Sequence, residues 1–331
     1  MFGYIVRRLI AAVIVVVVIS MATFAMFFYG PSDPAGQLCS EQGRCTQEKR
    51  EALEHGLGLD ESGVSQYGAW AKGLFVDREI DLGVTYECDA PCLGISYNRK
   101  QEVRGLITAA LPATASLVLI GAALYFVVGV TVGSVAARHR GTGADRGLVA
   151  GSLLISSIPY YLFALLAWIY LINKWGIFPE SGYTPLTENP GAWFSGLLLP
   201  WIVLATANMV VYARFSRGSM VEVLGEDYVR TAMAKGLSRR RATFKHGLRA
   251  AIVPVVTIFG LDIATLLAGA IFTEYIFEID GVGKLALDSI EGIIDFPVLS
   301  AVVLISAVLV VVANLVVDVL YTAIDPRVRL V

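Results

Sequence analysis

The sequence predicts an all-α integral membrane protein with six transmembrane helices, a polar helical segment between spans four and five, and a small insertion between spans one and two. Three observations carry this. The 331 residues are 56% hydrophobic and 16% charged, against about 25% charged in an ordinary soluble domain. The apolar residues are gathered into long runs. The charge in the loops alternates in sign along the chain.

Leu9–Tyr29, Leu106–Ala137 and Leu148–Asn173 contain no charged residue. Each exceeds the roughly 20 apolar residues that cross a bilayer. Three more spans are expected at Trp193–Tyr212, Ala250–Thr273 and Val298–Leu320, the last two with one carboxylate each, Asp262 and Asp318. The first run follows Arg7–Arg8 like a signal peptide. It is longer than a signal h-region and ends in Phe27-Phe28-Tyr29 rather than small residues, so it reads as a retained anchor. Pro112 in span two and Pro159 in span three are expected to kink their helices.

Orientation follows from Lys and Arg in the loops. Arg7 and Arg8, then Arg138, Arg140 and Arg146, then Tyr212–Arg249 with nine Lys/Arg against three Asp/Glu, then Arg327 and Arg329, mark one side. Pro31–Arg104, with eight Lys/Arg against thirteen Asp/Glu, lies on the other. Both termini and the polar segment are therefore expected to be cytoplasmic. The chain divides into 1–30 (tail and first span), 31–104 (extracytoplasmic insertion) and 105–331 (five-helix core with an inner loop at 213–250).

All four cysteines, Cys39, Cys45, Cys88 and Cys92, fall in the insertion. Four clustered cysteines can bind zinc, but an extracytoplasmic compartment favours disulfides. Three pairings are possible. The local ones, Cys39–Cys45 and Cys88–Cys92, bracket the short turn-like stretches SEQGR and DAP and are expected. Gln47–Gly56 reads as a polar helix, and Trp70, Leu74 and Phe75 as a small apolar cluster.

Catalytic chemistry is missing. The three histidines, His55, His139 and His246, lie in different loops. There is no H-E-x-x-H or G-x-S-x-G pattern and no internal repeat. GVGKL near Gly281 lacks the first Gly and the Ser/Thr of a P-loop, with Glu278 and Leu285 in those places. The spacing of Leu287, Ile290 and Ile294 there predicts a short lid helix. Intramembrane acids often mark ion or substrate paths, which makes Asp262 and Glu274 candidates for a translocation path. A structural helix-to-helix hydrogen bond is the simpler role for Asp262.

The segment Glu226–Arg249 carries nine Lys, Arg, Asp and Glu residues. Residues up to Lys235 read as a helix with acids at its start. Gly236 reads as a turn, and Ser238 as the N-cap of a second helix. Tyr228, Thr231, Ala232 and Lys235 share a face at helical spacing. A basic helix lying on anionic lipid explains Arg239, Arg240 and Arg241. A tight turn flanked by small residues suits a knob fitting a partner's cleft.

This stretch, GEDYVRTAMAKGLSRRRATFKHGLRAAIVPVVT, resembles the cytoplasmic loop of permease subunits of ABC importers, in the dipeptide/oligopeptide and nickel branch. The general Glu-Ala-Ala-x-x-x-Gly pattern is kept only at Ala232 and Gly236, with Arg230 and Thr231 departing from it as in the peptide branch. YIVRRLI at the start, PSDPAG at Pro31–Gly36, and NLVVDVLYTAIDPRVRL at Asn314–Leu330 are further similarities.

The resemblance implies a non-enzymatic subunit in a bacterial cell membrane, partnered by a second related permease, cytoplasmic ATPase subunits and an extracytoplasmic binding protein that delivers peptide. ATP and Mg would be bound by the ATPases, with no cofactor or metal in this chain and no nucleic-acid partner. Tyr228, Arg230, Thr231, Ala232, Met233, Ala234, Lys235 and Gly236 would couple ATPase closure to the membrane. Nickel chelate, haem or a sugar are alternative cargoes of the same machinery. An ion-driven secondary transporter, which often shows inverted repeats, and a membrane receptor are readings from other classes.

Overall fold

The structure, a computed structural model, describes residues 2–28, 33–41 and 45–324. Pro31 and Ser32 of the PSDPAG stretch, and residues 325–330 of the C-terminal stretch with Arg327 and Arg329, lie outside the described residues, as do the side chains of Arg239 and Asp318. The chain forms two compact units, Met1–Thr114 with Asp280–Leu309 and Ala115–Ile279 with Val310–Val331.

In the first unit, α1 (Phe2–Phe28) is followed by three short helices, α2 (Pro34–Glu41), α3 (Gln47–Gly56) and α4 (Gly63–Gly73). Thr46 and Ser62 cap α3 and α4 by accepting from the backbone N–H of Lys49 and Ser65 at 3.4 and 3.3 Å, satisfying donors a helix start leaves orphaned. A two-stranded antiparallel hairpin follows, β1 (Arg78–Asp81) against β2 (Thr85–Cys88), with Arg78 opposite Cys88. This is the one sheet among the described residues, beside an isolated antiparallel bridge between Ile95 and Glu102. Asp81 Oδ1 accepts from Gly83 N–H at 2.8 Å to close its turn.

Leu38, Leu53, Leu82, Ile95 and the sulfurs of Cys39, Cys88 and Cys92 form a core, so the insertion is a folded body. Cys39 is joined to Cys45 and Cys88 to Cys92, with Cα–Cα separations of 5.1 and 5.4 Å. A second core gathers Val103, Ile107, Val282, Leu285, Val298 and Ala301, with Trp70 and Leu74 packed against it. Phe75, expected to join them, is 83% exposed.

The lid helix α13 (Val282–Asp288) ends before the predicted face is complete, leaving Ile290 exposed. Ser289 caps it, and Gly292 at φ +75° and Asp295 follow in the loop. The buried Asp295 carboxylate accepts from Ser96 Oγ at 2.5 Å and Asn98 N–H at 3.2 Å, tying the loop to the insertion.

Helix α5 (Val103–Arg138) runs unbroken through Pro112. In the second unit α6 (Gly143–Ser156) and α7 (Tyr160–Ala167), the latter extended by a π-helical stretch Trp168–Lys174, replace the expected third span. They meet at 89°, with Pro159 at the break. Proline has no N–H to give and disfavours helix in the residue before it, so the apolar run is a bent pair rather than a kinked rod.

Helix α8 (Pro190–Leu224) is longer than its predicted span. The fifth span divides into α11 (Leu248–Leu267) and α12 (Ile271–Ile276) around Gly269, whose φ is +147°. The last helix is α14 (Phe296–Ile324). Among the described residues five helices are long and apolar enough to cross a membrane, and six spans result if the bent pair counts as one. Helices α5 and α8 approach closely at Gly129 and Gly133. A Cβ at Gly129 would lie 2.7 Å from Tyr212 Cβ, and one at Gly133 would collide with the carbonyl oxygen of Ala213.

Candidate functional site

The polar segment is mounted where α8 leaves its apolar run. Gly225 caps α8, Glu226 is extended (φ −68°, ψ 147°), and α9 (Asp227–Ala234) begins with Asp227 in its first turn. An acid there complements the helix dipole. Of the α9 side chains only Val229 is fully buried and Ala232 partly so. Tyr228, Arg230, Thr231, Met233, Ala234 and Lys235 are exposed. The predicted face therefore divides, with Tyr228, Thr231 and Lys235 outward and Ala232 inward beside Val229. Burial and the neighbouring Glu226 carboxylate hold the Tyr228 phenol above its ordinary pKa.

The helix is stopped by a Schellman arrangement. Gly236 has φ +91° and donates its N–H to Met233 O at 3.0 Å, while Leu237 donates to Ala232 O at 3.3 Å. Only glycine takes that φ at no steric cost. Two residues on, Ser238 Oγ accepts from Arg241 N–H at 3.4 Å. This starts α10 (Arg239–Arg241), which passes through a π-helical stretch Ala242–Gly247 directly into α11.

The second helix of the motif is thus continuous with a membrane helix. Ala242 and Thr243 are fully buried, and Gly247 lets the turn close on α8, where an added Cβ would lie 3.2 Å from both Met220 and Leu224. Met220, Ala137 and Ala251 form the small core beneath. The result is an exposed helix–turn–helix knob whose base is packed into the ends of α8 and α11.

Deeper in this unit, Asp262 on α11 accepts from Tyr125 on α5 and Tyr212 on α8, both at 3.0 Å. Phe126 and Phe259 surround these rings. One carboxylate thereby joins three helices. Glu274 on α12 is fully buried beside Thr273, whose hydroxyl pairs with Tyr160 at 2.6 Å.

Sequence reasoning missed a second tie. Arg217 on α8 grips Asp145 through both carboxylate oxygens, Nε to Oδ1 and Nη2 to Oδ2 at 2.7 Å. Asp145 also accepts from Gly141 N–H at 2.9 Å. The Thr142-x-x-Asp145 capping pattern was the available signal. Among the described residues no group of three or more His, Cys, Asp and Glu is placed to hold a metal ion.

Two family models cover most of the chain. Residues 1–118 match the N-terminal part of the binding-protein-dependent transport system membrane component, and residues 129–330 match the binding-protein-dependent transport system inner membrane component. The chain belongs to this family. The permease is the membrane component of an ABC importer and is not an enzyme; the ATPase is a separate subunit.

Relatives extend over the full length. The oligopeptide transport system permease protein AppB of Bacillus subtilis is 36% identical, aligned over 99% of this chain and 100% of its own. The di/tripeptide transport system permease protein DppB of Pseudomonas aeruginosa is 36% identical over 99% of each. Among solved structures, a chain of the MetNI methionine ABC transporter in an inward-facing form matches with a TM-score of 0.54 at 17% identity, covering 67% of this chain and 97% of that one. That likeness concerns the fold. The permease is accordingly a multi-pass protein of the bacterial inner membrane.

Proposed function

We propose that this permease carries di- and oligopeptides inward in an ATP-driven importer, with the knob around Gly236 as its coupling element. The observation that carries the reading is α9 itself. It buries one side chain fully, exposes Tyr228, Arg230, Thr231, Met233, Ala234 and Lys235, and ends in a glycine-specific stop. A helix with so little internal support is stabilised by a partner, and its base is continuous with α11, so force on the knob reaches a membrane helix directly. Relatives named for oligopeptide and di/tripeptide transport support peptide as cargo.

In this reading both termini and the knob are cytoplasmic. A second related permease completes the membrane path. ATPase subunits bind ATP and Mg and take the knob into a cleft, and an extracytoplasmic binding protein delivers peptide to the opposite face. The two disulfides staple the insertion. Asp262 and Glu274 are the candidate polar points of the path, with Asp262 also tying three helices.

Gentle detergent pull-down of the tagged chain with mass spectrometry tests the assembly. Recovery of a second permease and Walker-motif ATPases is expected. Recovery of the chain alone would refute the importer reading. Uptake of a labelled dipeptide that persists after ATP depletion would refute ATP as the energy source.

A further inference from the structure

The first unit holds a cavity of about 440 Å³ between the insertion and the ends of α1 and α14. Its walls differ in character. Phe24, Trp70, Leu93 and Leu304 supply apolar surface, whereas Arg78, Tyr97, Glu61 and Glu79 line the polar part.

Arg78 is unusual there. Its stem crosses α4 at Gly73, where a Cβ would lie 2.9 Å from Arg78 Cδ. Its Nε donates to Cys92 Sγ at 3.1 Å, and it stands opposite Cys88 in the hairpin. The Cys88–Cys92 disulfide thus holds the arginine in place. Sulfur is a weak acceptor, and among the described residues no carboxylate lies within 4.0 Å of the guanidinium. Arg78 is half-buried, and that burial lowers its pKa from the ordinary value. Beside it Tyr97 stays protonated, because burial and the Asp295 carboxylate both push its pKa up, and so it offers a hydroxyl donor.

A partly desolvated cation gains from a counter-ion, and a guanidinium fork matches a carboxylate bidentately. We infer that this cavity binds the free carboxylate end of a short peptide, with the carboxylate on Arg78, the C-terminal apolar side chain against Trp70 and Phe24, and an acceptor for the ammonium on Glu61. A fatty acid shares the carboxylate but has no ammonium to place on Glu61. This inference rests on the peptide reading for its source of ligand.

The test is calorimetric titration of the full chain in nanodiscs, with no ATPase present. Alanyl-phenylalanine is expected to bind, and its C-terminal amide to bind roughly tenfold to a hundredfold more weakly, the range for a lost charge-assisted hydrogen-bonded pair. Arg78→Gln should weaken the free acid similarly and leave the amide unchanged, with Arg78→Lys between. The acid–amide comparison uses the unaltered chain, so it stands even if a variant misfolds. Equal binding of acid and amide, no binding of either, or Arg78-dependent binding of laurate in place of peptide would each overturn the inference. Because transport is measured separately in the assembled complex, loss of this binding with uptake intact removes the site alone. Binding without ATP-driven uptake strikes the importer reading instead.

Discussion

Replacing Gly236 with valine separates backbone conformation from contact. An ideal Cβ at Gly236 meets nothing within 4 Å, so crowding inside the chain plays no part. The cost comes from φ +91°. An L-residue in the left-handed region is disfavoured by about 1–2 kcal/mol, and a β-branched residue is a genuine outlier there. A chain that escapes the strain gives up the bonds from Gly236 N–H to Met233 O and from Leu237 N–H to Ala232 O, each worth about 0.5–1.5 kcal/mol.

Either way the native turn loses roughly 2 kcal/mol, about a thirtyfold change in its population. Asparagine tolerates this region better and should lose much less. The assay is peptide taken up per ATP hydrolysed, in proteoliposomes containing the assembled complex. Gly236→Val should lower that ratio sharply and Gly236→Asn only mildly. Wild-type coupling in the valine variant would refute the knob as coupling element. Equal damage from asparagine would refute the backbone explanation and point to collision with a partner.

Three further outcomes are expected. Gly133→Ala should destabilise the second unit by about 1–3 kcal/mol, the usual cost of overpacking, because its Cβ meets the Ala213 backbone. Gly121→Ala meets the mobile end of Leu204 at 2.7 Å and should cost less in detergent thermal unfolding; the reverse order would contradict the helix contact. Asp262→Leu leaves the hydroxyls of Tyr125 and Tyr212 without their acceptor and should cost about 1–3 kcal/mol for each. Asp262→Asn, which keeps an acceptor oxygen, should retain most of the stability, and identical melting of the two variants would remove the three-helix tie. Non-reducing peptide mapping should recover Cys39 linked to Cys45 and Cys88 linked to Cys92; free thiols in membrane-purified protein would refute the staples and release the positioning of Arg78.

The class of the molecule and the outline of its knob are legible in the residue order alone. Uncharged runs long enough to cross a bilayer leave few other folds, because backbone polar groups in lipid must bond within the chain. The helix before Gly236, the turn and the Ser238 cap were legible because capping and left-handed glycine are local chemistry, settled within a few residues. Gln47–Gly56 was legible for the same reason.

Features that depend on partners distant in sequence became visible only in the folded chain. That α6 and α7 meet at 89° rather than as one kinked rod was not readable, since a proline marks a break without setting its angle. The pairing of Asp145 with Arg217 and the two tyrosines on Asp262 join residues 50 to 137 apart in the chain. In a membrane helix lipid-facing and packed positions are both apolar, so hydrophobic pattern loses the information that identifies contacts in water-soluble folds. Only the folded chain brings those polar side chains together.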